Sequence, residues 1–109
     1  MNQLPGGLAA NIRPDPTGVT VTIAGDLDMS TAPVLVDRVR TVFADDERTE
    51  LTLDLTGVAF CDSAGISALV QLRQQCEQHG WRLSVVNTQP AVRRMLVDFT
   101  GLGDYLNVL

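Results

Sequence analysis

Three short runs of β-branched and apolar residues alternate with segments of helical length, and this alternation constrains the fold more than any other feature. The runs are 19–23, 51–55 and 82–86, and the apolar residues between them recur every three or four positions. Strands alternating with helices favour a largely parallel sheet, because each helix carries the chain back to the same edge. The sequence therefore predicts an α/β domain.

A weaker run at 8–13 precedes this pattern and is followed by the turn Pro14-Asp15-Pro16-Thr17-Gly18. Such a turn predicts a hairpin with the next strand. We expect a mostly parallel sheet of four to five strands with an antiparallel strand at its N-terminal side. Nothing divides the chain, so residues 1–109 are predicted to form one domain, with 1–7 as a flexible lead-in.

Capping residues and apolar spacing predict three helices between and after the strands. The first would be capped by Ser30 or Thr31 and end in the polar loop 45–48. The second would run from near Ser63 to Gly80, and the third would follow Asn87 and Thr88. The residues predicted to be buried are Leu35, Val39, Val42 and Phe43 on the first helix, Ile66, Leu69, Val70 and Cys76 on the second, and Val92, Met95, Leu96 and Phe99 on the third.

The charge and the cysteine content exclude several function classes. The net charge is −5 with a pI near 4.5, which disfavours binding to nucleic acid or to an anionic membrane surface. No apolar run approaches the roughly 18 residues of a membrane span, so direct membrane insertion is not expected. Cys61 and Cys76 do not have the spacing of a metal or redox motif. We expect a cytoplasmic protein without a cofactor or a metal.

The junction at Asp62-Ser63, where a strand ends and a helix begins, is the strongest candidate site. A serine nucleophile needs a base, but the only histidine, His79, lies at the far end of the same predicted helix, roughly 24 Å away. No phosphate-binding loop accompanies the strand-end carboxylates Asp26, Asp28 and Asp62, so a metal or hydrolytic site is disfavoured. The chain is not expected to be an enzyme. On these grounds alone, Ser63 is either a helix cap or a phosphate acceptor.

Three stretches resemble the STAS domain family, and in particular the bacterial anti-sigma factor antagonists. They are GDLDMSTAP (25–33), LTLDLTGVAFCDSAG (51–65) and LSVVNTQPAVRRMLVDFTGL (83–102), in the family's order and at its usual spacing. The DSAGI segment is similar to the family's phosphorylation motif. Two positions depart from it: Ala64 stands where many members have a second hydroxyl, and Ser67 stands where glycine is frequent.

The resemblance implies a small STAS-type domain whose helices pack chiefly on one face of the sheet. It further implies that the unphosphorylated protein binds an anti-sigma factor with serine kinase activity and thereby releases a sigma factor. Phosphorylation of Ser63 would end the binding, and a serine phosphatase would restore it. The partner-binding residues carried over by the resemblance are Asp26, Asp28, Asp62, Ser63, Ala64 and Gly65. An alternative within the same family is an adaptor subunit of a membrane transport complex, without a phosphoswitch.

Overall fold

The computed structural model describes residues 4–44 and 47–109, and its strands and helices alternate as predicted. The strands are β1 (Ala9–Pro14), β2 (Gly18–Ala24), β3 (Glu50–Gly57) and β4 (Arg82–Val86). The helices are α1 (Ala32–Arg40), α2 (Ser63–His79) and α3 (Pro90–Arg93), which continues as a π-helix over Arg94–Phe99; short 3-10 helices cover Pro5–Gly7 and Thr41–Ala44.

The four strands form one mixed sheet in the order β1-β2-β3-β4. β1 pairs antiparallel with β2 through the predicted hairpin, whereas β2–β3 and β3–β4 are parallel. The edge of β4 is partly covered by the C-terminal segment, because Val108 forms a parallel bridge with Val85. The amide of Asn107 fixes this segment by donating to the carbonyl of Leu83 at 3.1 Å and to the hydroxyl of Ser84 at 3.0 Å. The predicted α/β fold is confirmed.

Buried and half-buried side chains alternate along the strands, so the sheet has one buried face and one partly exposed face. Odd-numbered residues of β2, β3 and β4 are buried in a single core together with α1 and α2: they are Val19, Val21, Ile23, Leu51, Leu53, Leu55, Leu83 and Val85. On the opposite face, Thr20, Thr52 and Ser84 lie in register and are only half-buried. The helices therefore cover chiefly one face of the sheet. This arrangement leaves the loops at the ends of the strands exposed to solvent.

The second helix begins and ends where the sequence predicts, but its buried side is rotated from the predicted one. Gly80 follows it in the left-handed conformation at φ +73°, as expected of a helix C-terminus. The residues buried on α2 are Gly65, Ala68, Leu69, Leu72 and Cys76. Ile66 and Val70, which the spacing placed on the same side as Leu69 and Cys76, are only half-buried. Gly65 faces the core because the start of α2 lies close to Leu27, in the loop after β2.

The last helix differs most from its prediction. It starts after Gln89 rather than being capped by Asn87 or Thr88, and the N–H of Thr100 donates to the carbonyl of Met95, a wide-turn bond. The wider turn shifts the side-chain positions away from α-helical spacing. Phe99 is 75% exposed as a result, and its predicted burial was wrong.

Two predicted loops lie partly outside the described residues. The lead-in over 1–7 is described only from Leu4, and Pro5–Gly7 form a 3-10 turn whose Gly6 lies against the methyl group of Thr31. Leu8, which follows this turn, is fully buried. Asp45 and Asp46 of the predicted exit loop after α1 are outside the described range.

Candidate functional site

The loops that follow β2 and β3 are joined by main-chain hydrogen bonds. The N–H of Leu27 donates to the carbonyl of Phe60 at 2.9 Å, and the N–H of Asp62 donates to the carbonyl of Leu27 at 3.1 Å. Leu27 and Cys61 thereby form an isolated parallel bridge beyond the end of the regular β2–β3 ladder. The two loops, each of which follows the carboxyl end of a strand, therefore share one surface.

Gly65 is the point at which α2 touches the loop after β2. A Cβ built on Gly65 would lie 2.7 Å from the carbonyl oxygen of Leu27, 2.8 Å from its Cβ and 2.7 Å from the sulfur of Cys61. Real Cβ atoms do not approach backbone so closely, so only glycine fits. Gly65 is buried and cannot contribute a side-chain contact to a partner. Gly65 therefore has a packing role in the fold, and its assignment to the partner-binding set stays a prediction.

Asp62 caps α2 and leaves Ser63 unused by the fold. The Asp62 carboxylate accepts from the N–H of Ala64 at 2.9 Å and from the N–H of Gly65 at 3.1 Å. These bonds satisfy two of the first-turn donors that would otherwise have no partner. Ser63 is exposed at the first position of the helix, and its hydroxyl makes no hydrogen bond to any residue in the described ranges. Of the two roles that the sequence left open for Ser63, capping is performed by Asp62.

Asp28 and Asp26 order the loop that precedes α1. The Asp28 carboxylate accepts from the hydroxyl and the N–H of Ser30, at 2.8 and 2.9 Å, and from the N–H of Thr31 at 3.1 Å. The hydrogen bond from the Ser30 hydroxyl is the largest influence that holds the pKa of Asp28 below its usual value. The buried Thr31 hydroxyl donates to the main-chain carbonyl of Asp26 at 2.7 Å, while Asp26 itself is exposed.

Two large apolar side chains stand exposed on these loops, and neither was singled out from the sequence. Met29 is 80% exposed and Phe60 is 51% exposed. The sequence carried no clear signal for either: Met29 shares its turn with the buried Leu27, and Phe60 lies in an apolar run with the buried Val58 and Cys61. Exposed aromatic and Met side chains are enriched at protein–protein contacts, so the surface around Ser63 is better suited to a protein partner than to a small solute.

The loop after β4 reaches the same edge of the sheet, which the sequence did not indicate. The side-chain amide of Gln89 donates to the carbonyl of Thr56 at 2.8 Å. Asn87 takes a left-handed conformation at φ +58°. Although partial desolvation opposes it, hydrogen bonding from Thr56 and Asn87 lowers the pKa of Asp54.

Two further titratable side chains, those of Cys61 and His79, lie just before α2 and at its C-terminal end. Burial, reinforced by the charge of Asp62, raises the pKa of the Cys61 thiol to about 11, so this thiol is protonated at neutral pH. His79 stacks on Phe43 with ring centroids 4.9 Å apart, at the opposite end of α2 from Ser63. Within 4–44 and 47–109, no three acidic, histidine or cysteine side chains form a group suited to a metal ion. No helix in those ranges is long and apolar enough to cross a membrane.

The geometry has a counterpart in known proteins. The family model described as "Mlab, STAS domain" matches residues 10–106. The chain belongs to the STAS domain family. The predicted resemblance is thus confirmed at the level of the family, and the matched range contains both loops of the site.

Individual STAS proteins extend the comparison. The anti-sigma-B factor antagonist of Bacillus subtilis is 29% identical over 98 residues, which cover 90% of this chain and 87% of that protein. The crystal structure of an anti-sigma factor antagonist from Mycobacterium paratuberculosis is 27% identical, with a TM-score of 0.81 over 97% of this chain and 88% of its own. SpoIIAA in its unphosphorylated form shares the fold, with a TM-score of 0.76 at 20% identity over 93% of this chain and 88% of its own.

Proposed function

We propose that this protein is an anti-sigma factor antagonist controlled by phosphorylation of Ser63. In its unphosphorylated form it binds an anti-sigma factor with serine kinase activity, and this binding releases a sigma factor. The observation that carries the proposal is the state of Ser63: its hydroxyl is exposed at the first position of α2 and bonds to no residue that the structure describes, because Asp62 supplies the cap.

The named relatives support the antagonist part of the proposal. The Bacillus subtilis and Mycobacterium paratuberculosis proteins, which this chain matches over most of its length, are both named antagonists of anti-sigma factors. The DSAGI segment, which is similar to the family's phosphorylation motif, lies at an exposed strand-to-helix turn. A kinase can reach such a turn without unfolding the sheet or the core.

The contact surface would be centred on Ser63 and would combine small, apolar and acidic groups. Ser63 and Ala64 allow close approach of a partner, while Met29 and Phe60 offer apolar side chains that are already exposed. Asp26 adds an exposed carboxylate from the adjoining loop. Interfaces draw most of their affinity from a few apolar anchors surrounded by polar groups, and this surface has that composition.

A phosphate on Ser63 would oppose binding through bulk and uncompensated charge. It would bring about −1.5 to −2 charges to a loop pair, 25–31 and 57–63, that contains three aspartates and no arginine or lysine. The N–H groups of Ala64 and Gly65, which could otherwise bind an anion, are occupied by Asp62. If the phosphate weakens the interface by about 3 kcal/mol, the affinity falls roughly a hundredfold, which is enough for a switch without refolding.

The other components of the switch come from the partners. The kinase would supply ATP and its magnesium ion, and a separate serine phosphatase would remove the phosphate from Ser63. The exchange would take place in the cytoplasm, where sigma factors act.

The test is a pull-down from native lysate with wild type, Ser63→Ala and Ser63→Asp. Wild type and Ser63→Ala are expected to capture an ATP-binding anti-sigma factor, and Ser63→Asp is expected to lose it. Thr49→Asp is the matched control, because it places the same charge at the opposite edge of the sheet, before β3. Equal capture by Ser63→Ala and Ser63→Asp would refute the switch. Capture of a transport ATPase by all four proteins would instead establish the adaptor function.

A further inference from the structure

A groove runs between α1 and α2, starting at the surface around Ser63. Two adjoining cavities of about 400 and 540 Å³ share Arg40 and Gln71 and together form this groove. Its first half begins at Met29 and Ala64, next to the switch serine, and its second half ends at His79. We call it the α1–α2 groove, lined by α1 residues with Met29 on one side and by α2 residues from Ala64 to His79 on the other.

The α2 wall of the groove carries no charge between Ala64 and Gln78. Its polar lining is Ser67, Gln71, Gln74, Gln75 and Gln78. The two charged residues of this helix before His79, Arg73 and Glu77, pair with each other at 2.6 Å, and Arg73 also stacks over the ring of Tyr105. Neither of them lines the groove. The exposed glutamines of α2 therefore lie on one side of the helix and its charged residues on another. An uncharged polar side of this kind is suited to contact with another protein.

The α1 wall is apolar at its base and charged only at its rim. Ala32 and Val36 are buried and Met29 is exposed, so an entering side chain would meet apolar surface. Asp37 and Arg40 lie at the rim 3.7 Å apart and offset each other's charge. Depletion of charge with an apolar base and a polar rim is the composition of the central part of a protein–protein interface.

The shape of the α1–α2 groove selects a helix as its occupant. An extended segment gains most at an open strand edge, where its main-chain groups pair with another strand, and this groove is walled by helices whose main-chain groups are already bonded. A helix satisfies its own main chain and can lie between two others. The stretch from Ala64 to Gln78 spans about 21 Å, which is the length of roughly 14 helical residues, or four turns.

We propose that one amphipathic helix of the anti-sigma factor lies in the α1–α2 groove, with its uncharged face against the glutamines of α2. This inference rests on the proposed function, because the anti-sigma factor is identified as the occupant by the continuity of the groove with the surface around Ser63. The end of the helix that reaches Asp26 and Asp28 carries arginine or lysine, which match those carboxylates. A phosphate on Ser63 would stand at the mouth of the groove, where it obstructs the helix from one end.

The test uses the full chain and each purified anti-sigma factor of the source organism, with binding followed by titration calorimetry. Gln71→Glu combined with Gln78→Glu adds two charges to the groove with little change of shape. It is expected to weaken binding tenfold or more, because the bound helix would cover two added carboxylates while the arginine that lines the groove, Arg40, is already paired with Asp37. Arg94→Gln with Arg82→Gln is the matched control, since it shifts the net charge by the same two units away from the groove and should leave the affinity within threefold.

A crosslinking arm identifies the occupant directly. Gln74→Cys carries a benzophenone maleimide into the second half of the groove, while the native cysteines Cys61 and Cys76 are buried. The expected product joins Gln74→Cys to a helical segment of the anti-sigma factor, and the same label at Arg94→Cys should give no such product.

The outcomes separate the two proposals. If wild type binds and Ser63→Asp does not, but the double glutamine variant binds as tightly as wild type, the groove proposal fails and the switch stands. If no anti-sigma factor binds wild type, both fail together. If Gln74→Cys crosslinks a second copy of this chain and the double variant abolishes a dimer seen by sedimentation, the groove belongs to self-association and the proposal is overturned.

Discussion

Replacing Gly65 by alanine should separate the two site loops and destabilise the domain. The new methyl group would meet the carbonyl oxygen of Leu27 at 2.7 Å and its Cβ at 2.8 Å, with the sulfur of Cys61 on the other side at 2.7 Å. Two of these three atoms belong to a loop held by main-chain bonds, so α2 or the loop must move. A shift that breaks the hydrogen bond from Asp62 to the Leu27 carbonyl costs about 1 kcal/mol by itself.

Summing the effects gives a measurable loss of stability for Gly65→Ala. Overpacking in a close contact costs about 1–3 kcal/mol, and better helix propensity returns at most about 1 kcal/mol. We expect the free energy of unfolding to fall by about 2 kcal/mol, which lowers the urea midpoint by about 1 M for a domain of this size. Equilibrium urea unfolding followed by circular dichroism measures this shift.

Two variants serve as controls for Gly65→Ala. Gly103→Ala adds the same methyl group where it meets only the side chain of Val97 at 3.2 Å, a contact that a shift of a few tenths of an ångström relieves, so its effect should be smaller than that of Gly65→Ala. Cys61→Ala combined with Gly65→Ala removes the sulfur contact and leaves both contacts with Leu27, so it should restore only part of the stability. A Gly65→Ala midpoint within about 0.3 M of wild type would refute the close-packing argument.

Three further predictions concern the cap of α2, the loss of stability at low pH and the reactivity of the two thiols. Asp62→Ala should lower the free energy of unfolding by about 1 kcal/mol, because two first-turn N–H groups lose their acceptor, whereas Asp62→Asn should retain most of it in the same urea assay. Since hydrogen bonding from Ser30 lowers the native pKa of Asp28, its carboxylate stabilises the fold above the ordinary pKa of 3.8 and ceases to do so as pH falls below it. Urea midpoints measured from pH 7 to 3 should therefore fall more steeply for wild type than for Asp28→Asn. Cys61 and Cys76, both buried with pKa values raised to about 11, should react with Ellman's reagent at pH 8 only as fast as the domain unfolds, and a rapid reaction in native buffer would contradict their burial.

Local patterns were sufficient to predict the strands and the approach of the two loops that contain Asp26 and Asp62. The alternating run at 19–23 and the turn at 14–18 each specify a short-range structure, and parallel connections place successive strand ends at one edge. The contact between the loops at Asp26 and Asp62 follows from that topology, which is why it could be expected without coordinates.

Features that depend on close tertiary approach could not be predicted from spacing. The buried side of α2 is set by Gly65 against Leu27, and no periodicity in the sequence encodes that contact. Phe99 is exposed because a π-helical turn interrupts the α-helical spacing that was assumed for it. Met29 and Phe60 were overlooked since exposure is a property of the assembled loops, and a single apolar residue in a turn is common.

The bridge between Leu27 and Cys61 leaves the outward side chains free to vary. The atoms that hold the two loops together are main-chain N–H and carbonyl groups, and the contact at Gly65 uses no side chain of its own. Met29, Phe60 and Asp26 can therefore be exchanged without disturbing the position of Ser63. Under the proposed function, a cell that holds several proteins of this fold could give each one a different set of outward residues around the same serine. Signals that use the same chemistry would then be kept from crossing between pathways.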